Sequence, residues 1–324
     1  MLKSASIFGP RIDPIPQNPQ SRSLQVDCGI RALAREARLG MQSEQFRLNY
    51  NVEQTHWWFV ARRRILRELI REVLPPSSDT MIVDVGCGTG ANIGSLSDEY
   101  DCTGIDPTAE AIDLARSRFP ACRFICGSAP EDLGPIARQA KLFLMTDVLE
   151  HVEDDFDLLS RLMAAASPGA YFLLTVPAHL SLWSPHDESH GHYRRYDQQR
   201  FERLWADMPV SPLLVAPFNY RLYPLVKMIR TLNRWRGKAS GEENTDLRIP
   251  PRGLNRVLES LFAGEQTQLQ QILTGRRTGT VRNGVSLIAL LRRRTGQIAP
   301  RAKPADLARD YYDPATRQYL SISA

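Results

Sequence analysis

Residues 82–90, Ile82-Val83-Asp84-Val85-Gly86-Cys87-Gly88-Thr89-Gly90, constrain the fold more than any other part of the chain. An apolar run that suits a buried strand carries a carboxylate near its end and passes straight into three glycines within five positions. Glycine lets the backbone turn tightly and approach a ligand, because no Cβ stands in the way. The run from Ala91 to Tyr100 has enough apolar positions to begin a helix, whose first N–H groups are unpaired and carry a partial positive charge. Strand, glycine turn and helix start together predict an α/β unit that holds a nucleotide-like ligand.

The rest of the chain extends that unit. Strands are predicted over 81–85, 101–105, 122–126, 141–146 and 170–176, with helices at roughly 91–99, 108–118, 130–139 and 154–166 between them. This alternation predicts a doubly wound, Rossmann-like, mostly parallel sheet. A helix at 197–207 and a strand near 211–218 follow. Residues 219–280 are basic and helical in propensity, and strand character returns once, at Gly284–Leu291. A seven-stranded sheet with a helical insertion before its last strand is the simplest reading. The expected layout is a disordered leader over 1–42, an N-terminal helical cap over 43–76 and the ligand-binding core over 77–218. The insert over 219–280, the last strand within 281–294 and a flexible tail over 295–324 complete it.

Bulk properties narrow the class. At 324 residues, 43% hydrophobic and 24% charged, the chain can bury a full α/β core. No stretch reaches the ~20 apolar residues of a membrane span, and prolines 10, 14, 16 and 19 break up any signal-peptide core. Five cysteines without zinc spacing suit reduced thiols. A cytoplasmic protein is expected. A net charge of +5 is too low for a strong phosphate footprint, so no nucleic-acid partner is expected.

The glycines alone leave the nucleotide open, because Gly86, Gly88 and Ala91 also satisfy the dinucleotide pattern G-x-G-x-x-G/A. Asp84 discriminates. A carboxylate there would repel a pyrophosphate, whereas a ligand carrying an ammonium and a sulfonium would be attracted, and S-adenosylmethionine (SAM) is such a ligand. Asp106, 22 positions on, suits ribose hydroxyls. In Gly127-Ser128-Ala129-Pro130-Glu131-Asp132, the Ala129 backbone and a carboxylate of Glu131 or Asp132 suit an adenine edge, although the two acids equally suit a helix N-terminus.

These residues resemble the class I SAM-dependent methyltransferases. Val83–Gly90 is similar to their first motif, Asp106 to the acidic end of their second strand, and Met145-Thr146-Asp147-Val148-Leu149-Glu150-His151-Val152 to the strand-four motif of their ubiquinone-methyltransferase-like branch. Ser167-Pro168-Gly169-Ala170 resembles the turn before strand five. A second likeness is to a bacterial subgroup marked here by His56-Trp57-Trp58-Phe59, by Trp183–Glu188 and Gly191–Tyr196 after strand five, and by Pro250–Asn255. The resemblance implies a SAM site made by Asp84, Gly86, Cys87, Gly88, Gly90, Asp106, Pro107, Ala129, Glu131 and Asp147. Arg63, or its neighbour Arg62, would meet the SAM carboxylate as a bidentate guanidinium.

Four of the six histidines, 179, 186, 190 and 192, lie in the loop after strand five. A histidine near its free pKa is a workable general base, and His151, His192 and His186 are the candidates. Asp147, Glu150 and His151 form D-x-x-E-H, similar to the E-x-x-E-H metal set of some related methyltransferases, but the Asp departs from that set and no metal is expected. The predicted reaction transfers a methyl group to oxygen or nitrogen of a small molecule, sugar or lipid-linked glycan. Residues 218–230 mix aromatics, aliphatics and cations as an interfacial helix does, which would bring the protein to the inner membrane surface. The alternatives are an NAD-dependent reductase, for which no Tyr-x-x-x-Lys pair is found, and a non-catalytic SAM-binding protein.

Overall fold

The structure is a computed structural model that describes residues 46–235, 248–277 and 282–298, together with 304, 307, 310–313 and 318–321. The expected leader over 1–42 lies outside these residues. A seven-stranded sheet runs in the order β3-β2-β1-β4-β5-β7-β6. Its strands are β1 (Ser77–Val85), β2 (Tyr100–Asp106), β3 (Arg123–Cys126), β4 (Leu142–Thr146), β5 (Tyr171–Pro177), β6 (Val210–Phe218) and β7 (Ser286–Arg293). The first five pair in parallel, and β7 runs antiparallel to both β5 and β6. The chain leaves β1 for β2 on one side and β4 lies on the other, so the order reverses beside β1. Ligand crevices open at such reversals, outside the carboxyl ends of the strands.

Both faces of the sheet are covered, which explains why its strands read as continuous apolar runs. Successive residues alternate between the two layers. Val83, Phe143, Phe172 and Ala289 face a layer that holds α6 (Asp155–Ala165) and α8 (Gln198–Arg203). Ile82, Leu142, Leu173 and Ile288 face one that holds α2 (Trp57–Val73), α10 (Arg252–Ala263) and α11 (Gln266–Leu273). By the same alternation Asp84 points into the α2 layer.

The expected N-terminal helix is broken. Residues 46–52 form α1, a turn follows at Glu53–Thr55, and α2 starts after His56. His56 caps α2 by accepting from the Trp58 N–H through Nδ1 at 3.3 Å. Asn255 of the insert completes the cap: its Oδ1 accepts from the Trp57 N–H at 3.0 Å and its Nδ2 donates to the Thr55 carbonyl at 2.9 Å. Trp57 packs edge-on against Phe262 of α10. Two sequence elements almost 200 residues apart thus close one helix end, which a local reading cannot reveal.

Other differences are at element ends. β1 begins at Ser77, and the helix expected over 91–99 shortens to one turn, α3 (Ala91–Gly94). The segment expected as a helix at 130–139 is a 3₁₀ turn at Glu131–Leu133 followed by α5 (Ile136–Gln139). The insert holds α9 (Tyr223–Trp235), α10 and α11 between β6 and β7, as expected. Most of the segment expected as a tail lies outside the described residues. Leu307 is buried in the core, its carbonyl accepts from Arg200 at 3.0 Å, and β8 (Asp310–Asp313) pairs with β9 (Gln318–Ser321). Leu307 meets Arg200 of α8 across more than a hundred residues, a contact that local periodicity does not record.

Candidate cofactor and acceptor site

The glycine loop is held from three sides. Gly86, Gly88 and Gly90 have φ of 68°, 52° and 81°, in the region where L side chains are strained. A Cβ on Gly90 would lie 2.9 Å from Phe124 and 3.0 Å from Ala115, while one on Gly88 would meet only Phe46 of α1, at 3.7 Å. Asp106 accepts from the Gly88 N–H at 3.0 Å and the Thr108 N–H at 2.9 Å, so this carboxylate fixes the loop itself. Burial still pushes its pKa up. Glu53, in the turn between α1 and α2, accepts from the Thr89 hydroxyl at 2.7 Å and pairs with Arg118 at 2.6 Å. That clasp ties the N-terminal cap to the loop. No sequence motif marks Glu53, and only the fold brings it to Thr89.

Asp84 is fully buried beneath α2 and α3, and neither of its oxygens meets a donor at full hydrogen-bond geometry. Burial raises its pKa to about 7, with Asp106 adding to the rise and Arg62 and the Ile93 N–H opposing it. A buried carboxylate without a donor is costly unless a cation or donor completes it. Adjacent residues on α2 point to different sides. Arg62 stacks on Trp58 with 4.1 Å from its guanidinium carbon to the ring centroid, and it pairs with Asp147. Arg63 lies near Glu53, and its Nη1 is buried without a partner. Burial lowers the Arg63 pKa to about 10. An anionic group beside the loop would find this guanidinium available.

The remaining expected cofactor residues lie on the segments that follow β1, β2, β3 and β4. Cys87 is buried, with its thiol pKa pushed up by burial, and Ala129 is buried. Pro107 is exposed after β2. Glu131 stands in solvent and pairs with Arg161 of α6, whereas Asp132 turns back to accept from the Ser128 N–H at 2.7 Å. Asp147 leaves β4 with a left-handed φ of 57°, and Thr175 of β5 donates to it at 3.1 Å. Asn92 of α3 donates to Thr146 at 2.8 Å, closing the space between the β1 and β4 ends.

Beyond Asp147, a 3₁₀ turn at Leu149–His151 carries Glu150 and His151. The fully buried Arg194 holds it by donating to the Val152 and Glu153 carbonyls. The loop after β5 brings His192 against this turn, with ring centroids 4.6 Å from His151 and nearly perpendicular. His151 stays open to solvent although protein atoms crowd it, so its ring lines a recess. Desolvation there, with His192 and His190 nearby, lowers its pKa well below the usual imidazole range.

Asp187 organises the recess. It is fully buried, takes two hydrogen bonds from Arg195 at 2.8 and 3.1 Å, caps its own short helix α7 (Pro185–Ser189) through Ser184, and meets His192 Nδ1 at 2.9 Å. Arg195 and His192 hold its carboxyl well below the usual range, against burial. With Nδ1 engaged by a carboxylate, His192 carries its proton there and leaves Nε2 as the basic nitrogen. His186 is half-buried and tilted against His190 with ring centroids 3.9 Å apart, and its ring centre stands 6.3 Å from that of His192. Glu150 is buried with Oε2 unpartnered, and burial and Asp147 raise its pKa. One ligand atom each from Glu150, His151 and His192 lies within 4.8 Å of the others, a set that a divalent cation or shared protons can complete.

Comparison with known proteins agrees with this architecture. Residues 58–208 match the family model described as a methyltransferase domain. The trans-aconitate 2-methyltransferases of Variovorax paradoxus (strain S110) and Paracidovorax citrulli (strain AAC00-1) are 31% and 30% identical to this chain over 123 and 119 residues. These stretches are 36% of this chain and 45% of each relative, so the chain spans about half the length of the curated relatives it matches. The plantazolicin methyltransferase BpumL, solved with a monoazolic desmethylPZN analogue and SAH, aligns over 80% of this chain and 95% of its own at 18% identity and TM-score 0.48. Phosphoethanolamine N-methyltransferase 2 of Haemonchus contortus, solved with S-adenosyl-L-methionine, aligns over 71% and 52% at 16% identity and TM-score 0.42. The match of residues 58–208 to a methyltransferase-domain model falls on the part of the chain that holds the glycine loop after β1 and the acidic end of β2.

Proposed function

We propose that the chain is a SAM-dependent methyltransferase that acts on an oxygen or nitrogen acceptor of a small molecule, a sugar or a lipid-linked glycan. The observation that carries this reading is the Asp187–His192–His151 recess beside the β4 end, next to the crevice where the order of the parallel sheet reverses. A donor in the crevice and an acceptor in the recess would be neighbours. The matching trans-aconitate 2-methyltransferases are named for a small-molecule acceptor, which supports the acceptor class.

SAM would supply an electrophilic methyl on a sulfonium. The residues present fit it. Asp84 is a buried carboxylate with no donor at full hydrogen-bond geometry, Arg63 is a guanidinium with a free buried nitrogen, and Gly88 leaves space for close approach. Asp106 retains acceptor capacity for a ribose hydroxyl while it holds the loop. Asp147, fixed by Arg62 and Thr175, would border the methionine end. His192 Nε2 takes the acceptor's proton, and Asp187 with Arg195 keeps the imidazole in the tautomer that can do so. His151 orients the acceptor from the opposite wall, and His186 packs behind His190. The main contribution of the protein is alignment of donor and acceptor in a site screened from water.

Incubation with methyl-labelled SAM and candidate carboxylate, hydroxyl and amine acceptors tests the reading. Transfer that disappears in His192→Gln while SAM binding persists supports it. Transfer that survives that substitution refutes the role of His192.

A further inference from the structure

We infer that α9 and α10 form a docking surface for an anionic phospholipid membrane. The inference goes beyond the methyl-transfer reading and rests on it only for the idea that the acceptor is lipid-borne. An amphipathic helix normally turns its apolar stripe inward. On α9, Leu225, Met228, Ile229 and Leu232 recur at helical spacing and are all exposed, Met228 at 60%. On α10, Leu254, Val257 and Leu261 do the same on the side away from the buried Phe262 and Ala263. Apart from Leu180 and Ile249, these seven are the exposed large hydrophobics among the described residues.

Charge decides what covers them. Residues 219–280 hold eleven Lys and Arg against five Asp and Glu, so this insert alone accounts for the positive charge of the chain. Lys227, Arg252 and Arg256 are exposed beside the stripes; α9 has no acidic residue and α10 has only Glu259. A second copy of the chain would set cations against cations. An anionic lipid surface meets both the aliphatic stripe and its basic flanks.

The two helices meet at a fixed corner and adjoin the histidine loop. Arg221, just before α9, donates its backbone N–H to Glu265 Oε1 at 2.9 Å and its guanidinium to the Leu261 carbonyl of α10 at 3.4 Å. Tyr223 packs on His179 with 5.4 Å between ring centroids, and Arg230 donates to the Leu182 carbonyl. Tyr223, Pro224, Lys227, Met228, Thr231 and Leu232 form an open, mostly apolar face along α9. Docking by α9 would therefore place the loop that follows β5 close to the bilayer, where a lipid-linked acceptor presents its head.

The test is flotation of the full chain with phosphatidylcholine vesicles, with and without roughly 30% phosphatidylglycerol. The full chain is expected to float with the anionic vesicles and to be released by salt. Lys227→Gln or Arg256→Gln should each weaken partitioning about fivefold. Met228→Ser with Ile229→Ser should weaken it about tenfold or more, since two exposed apolar side chains lose their burial in lipid. These positions are exposed, and unchanged circular dichroism and melting would show that the fold is kept. No flotation, equal flotation with neutral vesicles at high salt, or a concentration-dependent dimer that Met228→Ser dissolves would each overturn the inference. SAM titration of the same samples keeps the two readings apart, because loss of vesicle binding with SAM binding intact rejects only the membrane surface.

Discussion

Asp187 holds His192 by a 2.9 Å contact to Nδ1 and Arg195 by two hydrogen bonds, all with less than a tenth of each side chain exposed. One carboxylate thus sets both the tautomer of the candidate base and the packing of the loop. The two tasks separate in variants. His192→Gln should keep the fold and lower the methyl-transfer rate by about 10²–10⁴, the usual range for loss of a general base. Asp187→Ala leaves Arg195 buried without its partner and should cost about 3–5 kcal/mol of stability, read as a lowered denaturant midpoint. Equal stability loss in the two variants would remove the distinction.

The glycine loop yields a second prediction. Gly90→Ala combines a left-handed φ of 81° with a Cβ pressed onto Phe124 and Ala115. It should destabilise the domain by about 1–3 kcal/mol and weaken SAM binding at least tenfold. Thermal melts and calorimetry read the two effects, and a variant with native melting and native affinity would refute the packing described here.

The Glu150–His151–His192 set predicts an inhibition. If both imidazoles act through free nitrogens, zinc added to the assay should inhibit by occupying them, and a chelator should restore the rate without lowering that of untreated enzyme. Loss of activity on chelation, restored by magnesium or zinc, would instead assign the set to a metal ion.

Asp84 gives the pH dependence. Burial raises its folded pKa to about 7 from an unfolded 3.8, so above pH 3.8 the folded state holds a proton that the unfolded state has released. The contribution of this group to stability is therefore undiminished below 3.8, falls as pH rises, and reaches its full loss above about 7. Asp84→Asn should raise the melting temperature of the ligand-free protein at pH 8 and leave it nearly unchanged at the acid end. A melting shift of the same size at both ends would show that Asp84 is not the titrating group.

Much of this architecture was legible in the sequence. The apolar runs of β1, β4, β5 and β7 are buried on both faces, so their strand character survives in any context, and the glycines mark a turn that few other residues can make. Asp84 and Asp106 stood out because a carboxylate at a strand end has few structural uses. Glu53 and Leu307 did not stand out, and Asn255 did so only as the end of Pro250–Asn255, with no partner legible. Each acts on a partner brought close by tertiary packing, Thr89, Arg200 and Trp57 in turn. The histidine loop was an intermediate case. Its histidines were conspicuous, but the pairing of His192 with Asp187 five residues earlier depends on the turn at His190–Gly191.

Calorimetric titration of the full chain with SAM, and separately with NADH, at pH 6 and pH 8 tests the central claim most directly. SAM binding is expected to tighten with pH as Asp84 ionises and to be lost in Asp84→Asn with the fold retained, and NADH is expected to give no response. Tight NADH binding with no response to SAM would contradict that claim.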